Sequence, residues 1–255
     1  MRDWVVNLPE MFGAGETGLG FLEIAKGNYP GHSAVFITGY NPGVAVENVV
    51  ETLWDQGGTY TYLSSAATLY ISSSSAADVG QVIAVAGLDG DYNEVIRIGV
   101  LNGQSQVALD GELLRVHAAQ NFSGTALAGD VYIAESGATT GGVPDTTSEI
   151  KAKIIQGIGV THQFTYTVPA GKTIYFTEQV FILGKNRDVD GLLRVRFFGG
   201  VFLTTTLAPI YQNITNIHLS VPFSIGEKSD FELSYSSSNA GTPWTVNFAG
   251  ILATN

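Results

Sequence analysis

Several stretches of this chain have residue types and spacings that chemistry could use. Gly13-Ala14-Gly15-Glu16-Thr17-Gly18 matches the Gly-x-Gly-x-x-Gly string of dinucleotide sites. That chemistry needs a strand before the string, a helix opening on it, and an acid about 20 residues later for the ribose. Pro9 and Glu10 precede it, and Ile37-Thr38-Gly39 stand where the acid belongs. The glycines therefore read as a flexible or closely packed arm. Asp89-Gly90-Asp91-Tyr92-Asn93-Glu94 begins like a calcium loop, but an EF-hand requires Gly at its sixth position and an acid at its twelfth. Those positions hold Glu94 and Val100, so a solvated turn between strands is the reading, with an adventitious Ca²⁺ site as the alternative.

The four histidines, His32, His117, His162 and His218, are far apart, and none has a partner at metal-ligand spacing. With no cysteine and no Gly-x-Ser-x-Gly elbow, nucleophilic catalysis has no visible player. Glu178, Asp188 and Asp190 are the nearest approach to paired carboxylates for glycoside chemistry, although acids in a loop are usually solvated. Lys185, Arg187, Arg194 and Arg196 form the one basic cluster. On a strand Arg194 and Arg196 share a face, which makes them candidates for docking an acidic neighbour or for an ordinary exposed sheet face. Asn121-Phe122-Ser123 and Asn213-Ile214-Thr215 are glycosylation strings without an export signal to give them meaning. The expectation is a protein with no catalysis, cofactor or metal.

The elements that must carry these residues read as strands. Charged residues are 14% of the chain against a usual value of about 25%, hydrophobic residues are 45%, and glycines number 31. Few charges with abundant Gly, Ser and Thr is the composition of strands and turns. The net charge of −11 argues against nucleic acid. It is unevenly spread: residues 1–150 hold 17 acids against 4 bases, and residues 151–255 hold 6 against 8. This suggests two modules facing different partners. No apolar run is long enough for a signal peptide or a membrane span, so synthesis in a cytoplasm without membrane partners is expected.

Residues 1–50 read as an extended arm, because Pro9, the glycines, Pro30-Gly31 and Asn41-Pro42-Gly43 interrupt every apolar run. Its aromatics, Trp4, Phe12, Phe21, Tyr29 and Phe36, must find cover on the body or on a neighbouring subunit. Residues 51–155 read as a middle β domain. Within it Gln81–Ala86 suits a buried strand, and Asn102-Gly103 marks the clearest hairpin, with a type I′ turn between 95–101 and 105–109. Residues 156–255 read as a jelly-roll-like β-sandwich of seven or eight short strands. A polar loop from Gly184 to Gly191 divides two of them. The fold class is all-β: arm, middle domain and C-terminal sandwich.

Gly129–Ala134, Tyr166–Thr173, Glu227–Asp230 and Phe248–Leu252 resemble stretches of the virion structural proteins of tailed bacteriophages. The likeness covers about residues 51–255 and rests on turn and strand chemistry, so it transfers no functional residue. It implies a capsid decoration (cement) protein or head fibre on the virion surface, forming a homotrimer and binding the major capsid protein. Trp4, Phe12, Phe21, Tyr29, Phe36, Arg194 and Arg196 are then the candidate capsid or subunit contacts. The alternative is a tail-fibre or spike module that binds a host glycan through aromatics such as Tyr211, Tyr235 and Trp244.

Overall fold

A computed structural model describes residues 19–207 and 210–255. In chain order it contains one short helix, α1 (Leu19–Ala25), then strands β1 (His32–Asn41), β2 (Glu51–Thr52), β3 (Ala67–Ser73), β4 (Val79–Leu88), β5 (Glu94–Asn102) and β6 (Val107–Leu113). β7 (Arg115–Asn121), β8 (Val131–Ala134), β9 (Thr139–Thr140), β10 (Val143–Pro144) and β11 (Ile150–Ile154) complete the first half. The second half holds β12 (Thr165–Thr167), β13 (Lys172–Arg196), β14 (Phe202–Thr206), β15 (Ile210–Ile225), β16 (Asp230–Ser236) and β17 (Trp244–Thr254).

The middle domain packs a four-stranded sheet, β11-β8-β3-β6, against a three-stranded one, β5-β4-β7. Leu69, Ile71, Ile83, Val85, Leu113, Val131, Ile133 and Ile154 fill the space between them. In β4, Gln81, Ile83 and Val85 point inward while Val82, Ala84 and Ala86 face out. The run Gln81–Ala86 is therefore buried on one face, not on both. The expected hairpin at Asn102-Gly103 also differs. The bridge is Asn102↔Ser105, with Gly103 at φ +58° in the first central position. Asn102 is not at positive φ, so the turn has the Gly-first character of type II′ rather than I′. Beyond it β5 and β6 separate into opposite sheets, pairing with β4 and β3.

The C-terminal sandwich is organised around β13, 25 residues long. Its first half pairs with β17 and β15, and its second half with β16 and β14. One strand thus belongs to both sheets, β1-β17-β13-β15 and β12-β16-β13-β14, with β2 also on β16. The expected loop over 184–191 lies inside this strand. Its pairing with β15 skips from Leu183↔Asn213 to Asp188↔Tyr211, so four residues face one. The polar stretch is a bulge at the sheet corner, where an irregularity lets a strand change sheets. The core is aromatic: Phe164 meets Phe248 at 4.7 Å, and Phe176 meets Phe231 at 5.1 Å, both edge-on.

Residues 32–41, read from the sequence as part of an extended arm, form β1 and pair with β17 over their whole length. Gly39 shows why a glycine sits inside this strand. A Cβ there would lie 2.5 Å from the Phe164 Cβ and 2.9 Å from Leu53. The glycine lets β1 lie directly on the core instead of breaking it. Conversely Thr59–Leu63, which alternates like a strand, has no ladder partner. Its Tyr60 and Tyr62 join an edge-on aromatic series with Trp54.

Candidate functional site

The two β domains meet across a buried ionic junction. Arg115, at the start of β7, donates Nε to Asp230 Oδ1 at 2.8 Å and Nη1 to the carbonyls of Leu63 and Leu114. Arg196 also donates to Asp230, and Arg194 pairs with Glu232 at 2.5 Å. Both carboxylates are almost fully enclosed, at 3% and 1% exposure. Phe202 lies over both β13 guanidinium groups, and Tyr62 lies over those of Arg115 and Arg196. Burial alone would raise the Asp230 pKa, but Arg115, Thr167 and Arg196 outweigh it and hold the carboxyl below its ordinary value. Glu232 has fewer partners, so burial wins and its pKa is raised.

Arg194 and Arg196 thus close ion pairs inside the chain rather than presenting a free basic patch. The β13–β16 register sets this up by placing Arg194 opposite Glu232 and Arg196 opposite Asp230. Beside the junction His117 stacks on Tyr166 at 4.1 Å and accepts the Thr167 N–H on Nε2. Burial and the Arg115 charge lower its pKa to about 3.

A groove of about 390 Å³ runs alongside this junction. Val35–Thr38 of β1 form one wall, and Ala118 with Val160–Gln163 the other. His117 and Tyr166 also line it. His162 faces the enclosed Asp55, which accepts the His162 backbone N–H on Oδ2 at 2.5 Å and sets Oδ1 3.5 Å from Nδ1. Burial raises the Asp55 pKa against the opposing effect of His162, and the hydrogen bond to Asp55 raises that of His162.

Ala118 and Val160 also line a second hollow of about 480 Å³ on the outer face of β5-β4-β7. Val82, Ala84 and Ala86 form its floor, with Ile96, Ile98 and Phe122 around it. These last three are 65%, 45% and 65% exposed. The strands offer alternating apolar residues on both faces, and the structure covers one of them. Groove and hollow together make an uncharged strip from Phe36, 68% exposed, across to Ile96. Sequence reasoning marked Phe36 but missed the strip. Its signal was the absence of polar residues at the alternate positions of β4.

Of the remaining candidates, Trp4, Phe12 and the Gly13–Gly18 string lie outside the described residues. Phe21 belongs to α1, and Tyr29 is half-buried, edge-on to His32. Tyr235 and Trp244 present no glycan-stacking face, because both are fully buried and Tyr235 donates its hydroxyl to Thr242 O. Glu178 and Asp188 stand ten residues apart on β13, about 30 Å of strand, too far to act on one glycosidic bond. Asp89 accepts the backbone N–H groups of Asp91 and Asn93, which folds the acidic loop on itself. Among the described residues no three His, Cys, Asp or Glu side chains gather as a metal site would require.

No family model matches the chain, and no curated protein is similar to it. Solved structures of infectious bursal disease virus superpose loosely. The Gt strain gives 11% identity over 88% of this chain and 73% of that one, with a TM-score of 0.23. For the Gx strain the figures are 10%, 88%, 72% and 0.26. The VP2 subviral particle of the same virus gives 12%, 92%, 77% and 0.24. Superpositions this loose do not define a shared architecture beyond strand-rich chains of similar extent.

Proposed function

We propose that this chain is a structural component of a virion, decorating or cementing a phage capsid and carrying out no catalysis. The observation that carries the reading is the uncharged strip from Phe36 to Ile96, a contiguous apolar surface of the kind that marks protein–protein contact. The grouped ionisable side chains support it in a second way. Arg115, Arg194, Arg196, Asp230 and Glu232 are spent on joining the two domains. The strip lies mainly on the acidic half of the chain, so its complement on the shell protein is an apolar surface edged by Lys and Arg. A homotrimer on the capsid surface is the expected assembly.

Counting copies in purified particles against the main shell protein tests this. Hundreds of copies per particle are expected, falling when Ile96 and Ile98 are both changed to Lys. Absence of the chain from the particle would sink the reading. The glycan-binding alternative gains no support, since two of its named aromatics are in the core.

A further inference from the structure

Among the described residues β1 pairs with β17 alone, at the end of its sheet. Two hydrogen bonds fix which of its backbone groups face outward. Gly31 O accepts the Thr254 N–H at 2.7 Å, which puts the odd-numbered residues in the β17 ladder. The Tyr40 N–H points the other way, toward His162 O at 3.5 Å. Antiparallel pairing alternates, so Ala34, Phe36 and Thr38 direct both N–H and C=O away from β17. That free edge forms one wall of the 390 Å³ groove, which is closed at the Tyr40–His162 contact and open beside Phe36. Ser33–Thr38 contains no charge and no proline, and the register is unbroken from His32 to Asn41. None of the devices that keep an edge strand from pairing is present.

We propose that residues Trp4–Leu8 of the same chain add to this edge as a further strand. Trp4-Val5-Val6-Asn7-Leu8 is uncharged, aromatic and β-branched, and it is bounded by Arg2-Asp3 and Pro9. Its alternation puts Trp4, Val6 and Leu8 on one face, matching the apolar surface that Phe36 begins. Residues 9–18 lead into α1, which packs against β1 itself. Those ten residues span at most about 35 Å, whereas Ala34–Thr38 extends over about 13 Å. A tether this short holds the segment at roughly millimolar effective concentration, ahead of a free peptide or a second copy.

Residue-resolved hydrogen exchange on the intact chain tests this. The Phe36 and Thr38 amides should exchange at least about 100-fold slower than in a free peptide, by the same factor after tenfold dilution. Val6→Pro should return both to fast exchange while Ile37, bonded to β17, stays slow. Fast exchange in the wild-type chain overturns the proposal, as does protection that survives Val6→Pro. Protection that falls on dilution also overturns it, because the strand then comes from a second copy. Should Val6→Pro loosen β1 itself, seen as faster Ile37 exchange, a cysteine pair decides in this cysteine-free chain. Val6→Cys with Thr38→Cys should close an intramolecular disulfide on mild oxidation, and failure to close it counts against the added strand.

Discussion

At the junction between the two β domains, Arg115, Asp230 and Glu232 are charged and buried; on the outer face of β5-β4-β7, Ile96, Ile98 and Phe122 are apolar and exposed. The junction can bury charge because register and fold supply every partner: Arg196 and Thr167 complete Asp230, and backbone carbonyls complete Arg115. Desolvating such groups is costly, and the hydrogen bonds offset it. The outer face has the opposite economy. Its apolar side chains contribute nothing to folding while they stay in water, so their value must lie in association. The difference teaches that polarity alone does not locate the working surface of this protein.

The sharpest way to break that contrast is to remove the charge that spans the domains. Arg115→Met should cost about 3 kcal/mol, since Asp230 loses its fully enclosed partner and keeps the half-exposed Arg196. Urea unfolding would measure it, and Arg115→Met with Asp230→Leu should recover much of the loss. A full loss in the double variant would mean the pair is needed for packing rather than charge.

Lowering the pH probes the same junction. The folded-state pKa of His117 is depressed to about 3, so its contribution is complete above the unfolded value near 6.5 and is lost as pH falls toward 3. Each pH unit in that window should remove up to about 1.4 kcal/mol. Denaturation midpoints at pH 7 and pH 5 should differ less in His117→Phe than in the wild type. Equal differences would show that His117 is not held neutral by the fold.

A smaller effect is expected at the edge of the junction. Phe202→Ala uncovers the Arg194 and Arg196 guanidinium groups and should cost about 1 kcal/mol by the same unfolding assay. The smallest belongs to the exposed face, where Ile98→Lys should change stability by under about 0.5 kcal/mol while weakening association. A loss above 2 kcal/mol there would make the face part of the core and erase the contrast.

Much of the strand content was legible in the sequence. β3, β4, β5, β8, β16 and β17 follow period-2 patterns bounded by turn residues. β1 was hidden by its own punctuation, because Gly39 reads as a breaker until Phe164 and Leu53 are seen against it. The continuity of β13 was hidden by its polar middle, where the bulge puts residues out of the ladder. Arg194 and Arg196 were noticed, but their partners lie more than thirty residues away. One signal could have matched them: Arg-x-Arg and Asp-x-Glu share the same two-residue spacing, as opposed strands require. The apolar strip is a property of two loops and two domains brought side by side, and no local pattern announces that.

The central position of β13 has a consequence for the order in which the protein can be made. The middle domain draws its core from Leu63–Ile154, so it can close soon after that stretch leaves the ribosome. The sandwich must wait. β13 finds its partners in β14, β15, β16 and β17, all synthesised after it, and β1 pairs with β17, separated from it by about two hundred residues. For most of its synthesis the nascent chain therefore carries a finished domain flanked by two uncovered strands, and these are the segments that a chaperone would meet.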